Sequence, residues 1–128
     1  MQDPKNVDVY NEAYALALDL YKLKLPPDEK YCLEQQLKRA TYSIFLNIAE
    51  GCGRQTDAEF VRFLFTSFGS IKEVESILDF GKDMGMIGIS DYNAFKPRLE
   101  TLGRRLNAFI QTINRSVQMK KKGGGKSQ

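Results

Sequence analysis

The chain has 128 residues, 19 of them basic and 16 acidic, with two cysteines and no histidine. That length holds one hydrophobic core without covalent staples. Lacking imidazole, it excludes a zinc site, a Ser-His or Cys-His nucleophile and a histidine general base. Cys32 and Cys52 cannot build a disulfide framework and read as reduced thiols, and no metal or cofactor is expected. Met1–Asn11 has no apolar run behind a basic start, and no apolar stretch nears the roughly 20 residues that cross a bilayer. A soluble, cytoplasmic protein without a membrane partner is expected.

Charge is unevenly placed. Residues 1–95 carry 10 basic against 15 acidic groups, whereas residues 96–128 carry nine basic against one acidic. A net −5 and a net +8 in one small domain point to an anionic partner for the C-terminal quarter.

In chain order, Tyr10, Tyr14, Ala17, Leu18, Tyr21 and Leu25 share one helical face from about Val7 to Lys24, and Val9, Ala13, Leu16, Leu20 and Leu23 form a second row beside it. An arc carrying both rows is wider than one core stripe requires, so this helix is expected to pack on two sides. Pro26-Pro27 stops it. Asp28 is a candidate N-cap for a second helix with the core row Leu33, Leu37, Ala40, Ile44 and Ile48, broadened by Tyr42, Phe45, Leu46 and Ala49. Gly51 and Gly53 are expected to end it. Thr56 to Glu59 makes a capping box for a third helix with the inward row Phe60, Leu64, Ser67, Phe68, Ile71, Val74 and Leu78. Gly69 and Ser70 at its middle suggest close approach of a neighbouring helix. Gly85 and Gly88 end this helix and Ser90 caps a fourth, where Tyr92, Phe95, Leu99, Leu102, Leu106, Phe109, Ile113 and Val117 recur at threes and fours; Pro97 predicts a kink or break. The fold class is therefore all-α, an antiparallel up-down-up-down four-helix bundle over residues 1–118, followed by a disordered basic tail over 119–128.

Few residues offer chemistry. Asn47 is placed to satisfy backbone groups at a helix end, and Glu50 and Arg54 can pair across the glycine turn. A lone glutamate without histidine, metal or second carboxylate gives no acid–base pair, so no catalytic residue is expected. Gly51-Cys52-Gly53-Arg54 follows no strand and opens onto no lysine–hydroxyl pair, unlike a phosphate-binding loop. Charge runs are often mere solvated faces. Against that reading, Arg98, Arg105 and Lys120 to Lys122 lack acid partners at i±4, which a surface built only for solubility would mix in. Arg98, Arg104, Arg105, Arg115, Lys120, Lys121 and Lys122 are the candidate contacts to RNA phosphates.

Asn47-Ile48-Ala49-Glu50-Gly51, with Gly53 and Arg54, then Glu59-Phe60-x-Arg62-Phe63-Leu64 and Gly69-Ser70-x-x-Glu73, resemble the bacterial four-helix-bundle proteins encoded by intervening sequences of 23S ribosomal RNA genes. That superfamily includes the accessory variability determinant (Avd) proteins of diversity-generating retroelements. The resemblance covers about Tyr10 to Ile113. It implies a ring-like homo-oligomer, a pentamer, without enzymatic activity, and in the Avd branch a basic surface that engages RNA or an RNA/DNA hybrid together with a reverse transcriptase. It also marks Asn47, Glu50, Gly51, Gly53 and Arg54 as a structural turn motif. Phe45-Leu46 stands where the family usually has Pro-Ser, and Cys52 where it usually has an aromatic. A structural or protein-interaction module encoded by a ribosomal RNA intervening sequence is the alternative from a different class.

Overall fold

A computed structural model describes residues 2–127, without the side chains of 29–31 and 123–127. Among the described residues there is no strand, and four helices follow in order: α1 (Asp8–Leu20), α2 (Gln35–Cys52), α3 (Asp57–Asp83) and α4 (Ile89–Ser127). A 3-10 turn at Pro4–Asn6 precedes α1. Contacts run α1 to α2, α2 to α3, α3 to α4 and α4 back to α1, the closed circuit of a four-helix bundle.

The core follows the spacing of the apolar rows. Leu37, Ile44 and Ile48 of α2, Leu64, Ile71, Val74 and Leu78 of α3, and Leu99, Leu106 and Ile110 of α4 are fully buried. Of the two rows on α1, Val9, Ala13, Leu16 and Leu20 face the bundle, while Tyr14, Leu18 and Tyr21 remain 44%, 54% and 43% exposed. Ala17, in the same row as these three, is buried, so the exposed part of α1 is the patch of Tyr14, Leu18 and Tyr21.

Several boundaries differ from expectation, each for a local reason. α1 stops at Leu20, because Leu23 and Leu25 are both buried two residues apart and Leu25 precedes a proline, which together require extended backbone. Asp28 lies within a 3-10 turn, Pro27–Glu29, and α2 is entered through a π-turn at Lys30–Glu34 instead of an N-cap at Asp28. Gly51 does not end α2, which runs to Cys52, and Gly53 has an ordinary right-handed φ of −83°. The two glycines serve packing and the turn without left-handed geometry. Ser90 lies inside the first turn of α4, which starts at Ile89. The helix also runs on through Pro97 without breaking. α4 continues past residue 118 to Ser127, where composition leads one to expect the chain to leave the helix, and its residues Gln118 to Lys122 are exposed.

Other local features match the reading. Thr56 Oγ1 accepts from Glu59 N at 3.2 Å, capping α3. Gly85 carries the left-handed φ of +74° that closes α3, and Met86 N and Ile87 N both donate to Gly81 O. No helix among the described residues is long and apolar enough to cross a membrane.

Candidate nucleic-acid interface

Helical geometry divides the basic residues of α4 into stripes. At 3.6 residues per turn, Arg104, Arg115 and Lys122 fall within about 20° of one another, while Arg98, Arg105 and Lys120 form a second stripe about 120° away. The second stripe is neutralised from outside its own helix. Arg98 Nη1 donates to Asp19 Oδ2 of α1 at 2.8 Å. Arg105 Nη1 donates to Glu12 Oε1, also of α1. Lys120 Nζ lies 3.5 Å from Asp57 Oδ2 in the first turn of α3. Arg98, Arg105 and Lys120 lack acids at i±4, as the sequence reads, but they have acid partners on neighbouring helices, which intrahelical spacing cannot reveal.

The first stripe is different. Among the described residues, no carboxylate pairs with Arg104, Arg115, Lys121 or Lys122. Arg104 donates to Thr101 Oγ1 at 3.2 Å and opens onto a shallow groove with Lys72 of α3, Asn107 and Glu100, whose carboxylate lines the groove without pairing with Arg104. Further along the helix, Arg115 and Lys122 share a second groove with Gln111, Gln118 and Met119. Cations alternate there with amides that can donate to phosphate or sugar oxygens. Lys121 continues the Ile113–Val117 row beyond the packed part of the bundle.

The turn between α2 and α3 is built for packing. A Cβ on Gly51 would lie 2.7 Å from Phe60 Cδ1 and 3.1 Å from Phe63 Cβ, so only glycine lets α3 start so close to α2. Arg54 Nη2 donates to Glu50 Oε1 at 2.6 Å, as the spacing suggested, and its guanidinium lies over the Phe63 ring, 4.6 Å from the centroid. Asn47 does not reach the turn. Its amide donates back to Ser43 O and Ser43 Oγ, and Ser43 Oγ is hydrogen-bonded to Ser70 Oγ at 2.8 Å. Beside it, Ser67 Oγ donates to Ile44 O at 2.7 Å. Hydroxyls, then, stitch α2 to α3. Gly69 takes no part, for a Cβ there would meet nothing within 4 Å.

A third cluster joins α3 to α4 at the opposite end. Asp79 Oδ1 accepts from Tyr92 OH at 2.6 Å and from Lys96 Nζ at 2.7 Å, while Lys82 sits over the Tyr92 ring. The hydrogen bond from Lys96, then that from Tyr92, holds the Asp79 carboxyl below its ordinary range. Its reciprocal bond to Asp79 raises Tyr92.

On the outer side of α1 and α2, Tyr10 stacks on Tyr14 and both meet Phe45 edge-on, with ring centroids 5.3–6.2 Å apart, and Leu18, Tyr21, Tyr42 and Leu46 extend this exposed apolar face. Sequence reading found these side chains but not the acids Glu12, Asp19 and Asp57 that matter for the basic helix. For Glu12 and Asp19 the one sequence signal is matched spacing, seven residues apart like Arg98 and Arg105.

Against known proteins, the 23S rRNA-intervening sequence protein family matches residues 5–108. Among solved structures, a protein of unknown function from the S23 ribosomal protein family of Bacteroides thetaiotaomicron superposes with a TM-score of 0.74 at 21% identity, covering 80% of this chain and 97% of its own. At that identity the likeness speaks for the fold. No curated protein matches the chain.

Proposed function

The chain belongs to the family of 23S rRNA-intervening sequence proteins, and we propose that it acts as a non-catalytic RNA-binding accessory, of the kind that serves a diversity-generating retroelement reverse transcriptase as Avd. The observation that carries this reading is the outward stripe of α4, where Arg104, Arg115 and Lys122 stand without carboxylate partners among the described residues, while Lys96, Arg98, Arg105 and Lys120 of the same helix are paired. Unpaired guanidinium and ammonium groups along one helix match a phosphate backbone, with glutamines between them for sugar and phosphate oxygens. Such contacts position a nucleic acid without reading its sequence. The partner in this proposal is RNA or an RNA/DNA hybrid held beside the polymerase.

Assembly is the second part of the proposal. The exposed aromatic face of α1 and α2 is the surface for a neighbouring copy, since tyrosines offer apolar area and keep a hydroxyl wet. A ring requires this face to meet a different face of the next protomer, because an isologous contact would stop at a dimer. A purely structural or protein-interaction role is favoured by this same face, which needs no nucleic acid to be buried.

The test is a salt titration of intact protein with a structured RNA, with native mass measured on the same samples. Binding that weakens steeply with salt, by an oligomer, supports the accessory role. An oligomer indifferent to RNA at low salt overturns it in favour of the structural module.

A further inference from the structure

We propose that α1 occupies the phosphate sites of α4: Glu12 and Asp19 hold Arg105 and Arg98 until backbone phosphates of an RNA strand displace them. This rests on the RNA-binding reading above and extends it to the two arginines that the fold neutralises.

The geometry is a ladder. α1 and α4 run antiparallel here, and the two pairs recur at the same seven-residue interval on both helices, about 10 Å along the axis. Between the pairs, Glu12, Ala15, Pro97, Arg98 and Thr101 line an open groove of about 380 Å³. Ala15, Pro97 and Thr101 on its walls, above Leu16 and Leu102, leave it open to an incoming strand. All four charged side chains are between 34% and 53% exposed, so solvent and polyanion reach them. Solvent-exposed ion pairs contribute little to stability, and Glu12 is poorly satisfied even in place, since its Oε2 is buried without a hydrogen-bond partner. A phosphate offers Arg98 and Arg105 the same bidentate geometry as a carboxylate, and binding a polyanion also releases counterions, which an internal carboxylate cannot do. Leu16 and Leu20, buried in the core, keep α1 docked while the two carboxylates swing away. The acids therefore act as a charge gate, suppressing weak contacts with small anions and yielding to a strand that engages both arginines at once.

The experiment uses the full chain and an RNA hairpin with single-stranded flanks, titrated across salt. The double variant Glu12→Gln/Asp19→Asn is expected to bind about tenfold more tightly than wild type, with the slope of log affinity against log salt steeper by about one to two. In an Arg98→Ala/Arg105→Ala background the same neutralisation is expected to give no gain. Glu73→Gln/Asp91→Asn, an equal charge change at exposed acids off the ladder, is the control. In wild type, the side-chain N–H signals of Arg98 and Arg105 are expected to shift on adding RNA. A gain matched by the control, or one that survives without the arginines, overturns the proposal while leaving RNA binding intact. If wild type and every variant ignore RNA at low salt, the RNA-binding reading falls and the proposal with it.

Discussion

Gly51 and Phe60 compete for one space, with the ring edge 2.7 Å from where a Cβ on Gly51 would stand. Phe60 is itself buried and stacks edge-on against Phe109 of α4, so it cannot yield cheaply. Gly51→Ala gains up to about 1 kcal/mol in helix propensity, but overpacking a fixed ring costs about 1–3 kcal/mol. We expect net destabilisation of about 1–2 kcal/mol, read from urea midpoints at unchanged slope.

Gly69 is the opposite case. It sits inside α3, and a methyl group placed on it would find nothing within 4 Å, so Gly69→Ala should stabilise the isolated fold by about 0.5–1 kcal/mol. Thermal unfolding checks this, and a loss of stability instead would mean that a neighbouring copy packs against this bare stretch.

The Asp79 cluster makes a signed pH prediction. Because Lys96 and Tyr92 hold its carboxyl below the ordinary range, its contribution is fully present above the unfolded-state value near pH 4 and is lost as pH falls through the lower folded value. Tyr92, whose pKa is raised, contributes below about pH 10 and loses its share as pH rises through the folded value. Tyr92→Phe should raise the Asp79 pKa toward normal without reaching it, because the Lys96 bond remains. Carboxyl-carbon NMR titration measures this directly.

For RNA binding, Arg104→Ala and Arg115→Ala should each weaken affinity similarly for unrelated sequences and lower the salt slope by about one. A change of sequence preference in either variant would assign base reading to that residue and refute a phosphate role.

Leu18 stands 54% exposed on the aromatic face. Leu18→Glu should leave helix content unchanged while native mass drops from a multiple of the 14.6 kDa protomer to the protomer itself. An unchanged mass distribution in the variant would move the subunit contact to another surface.

The inward rows of α2 and α3 are readable from spacing, because a helix repeats every 3.6 residues and a core position needs no knowledge of its partner. The second row of α1 shows in the spacing for the same reason, and its Tyr14 and Leu18 stand clear of the core while its Ala17 is buried. What spacing cannot supply is register between helices. Arg98 and Arg105 look unpaired within α4, and only the antiparallel alignment with α1 brings Asp19 and Glu12 to them. Ser43 and Ser70, 27 residues apart, meet for the same reason. The early end of α1 depends on burial of Leu23 and Leu25 in a loop, where extended geometry overrides an apolar pattern that suits a helix.

The two cysteines sit in opposite surroundings, Cys32 exposed and Cys52 buried. Burial first, and the charge of Asp3 second, push the Cys52 thiol above its ordinary pKa, which suppresses the thiolate that alkylating reagents attack. The chain thus carries its own stopwatch. One thiol should label at once, and the other only as fast as the α2–α3 end of the bundle opens, so a two-phase labelling trace times local opening beside Gly51 without any added probe.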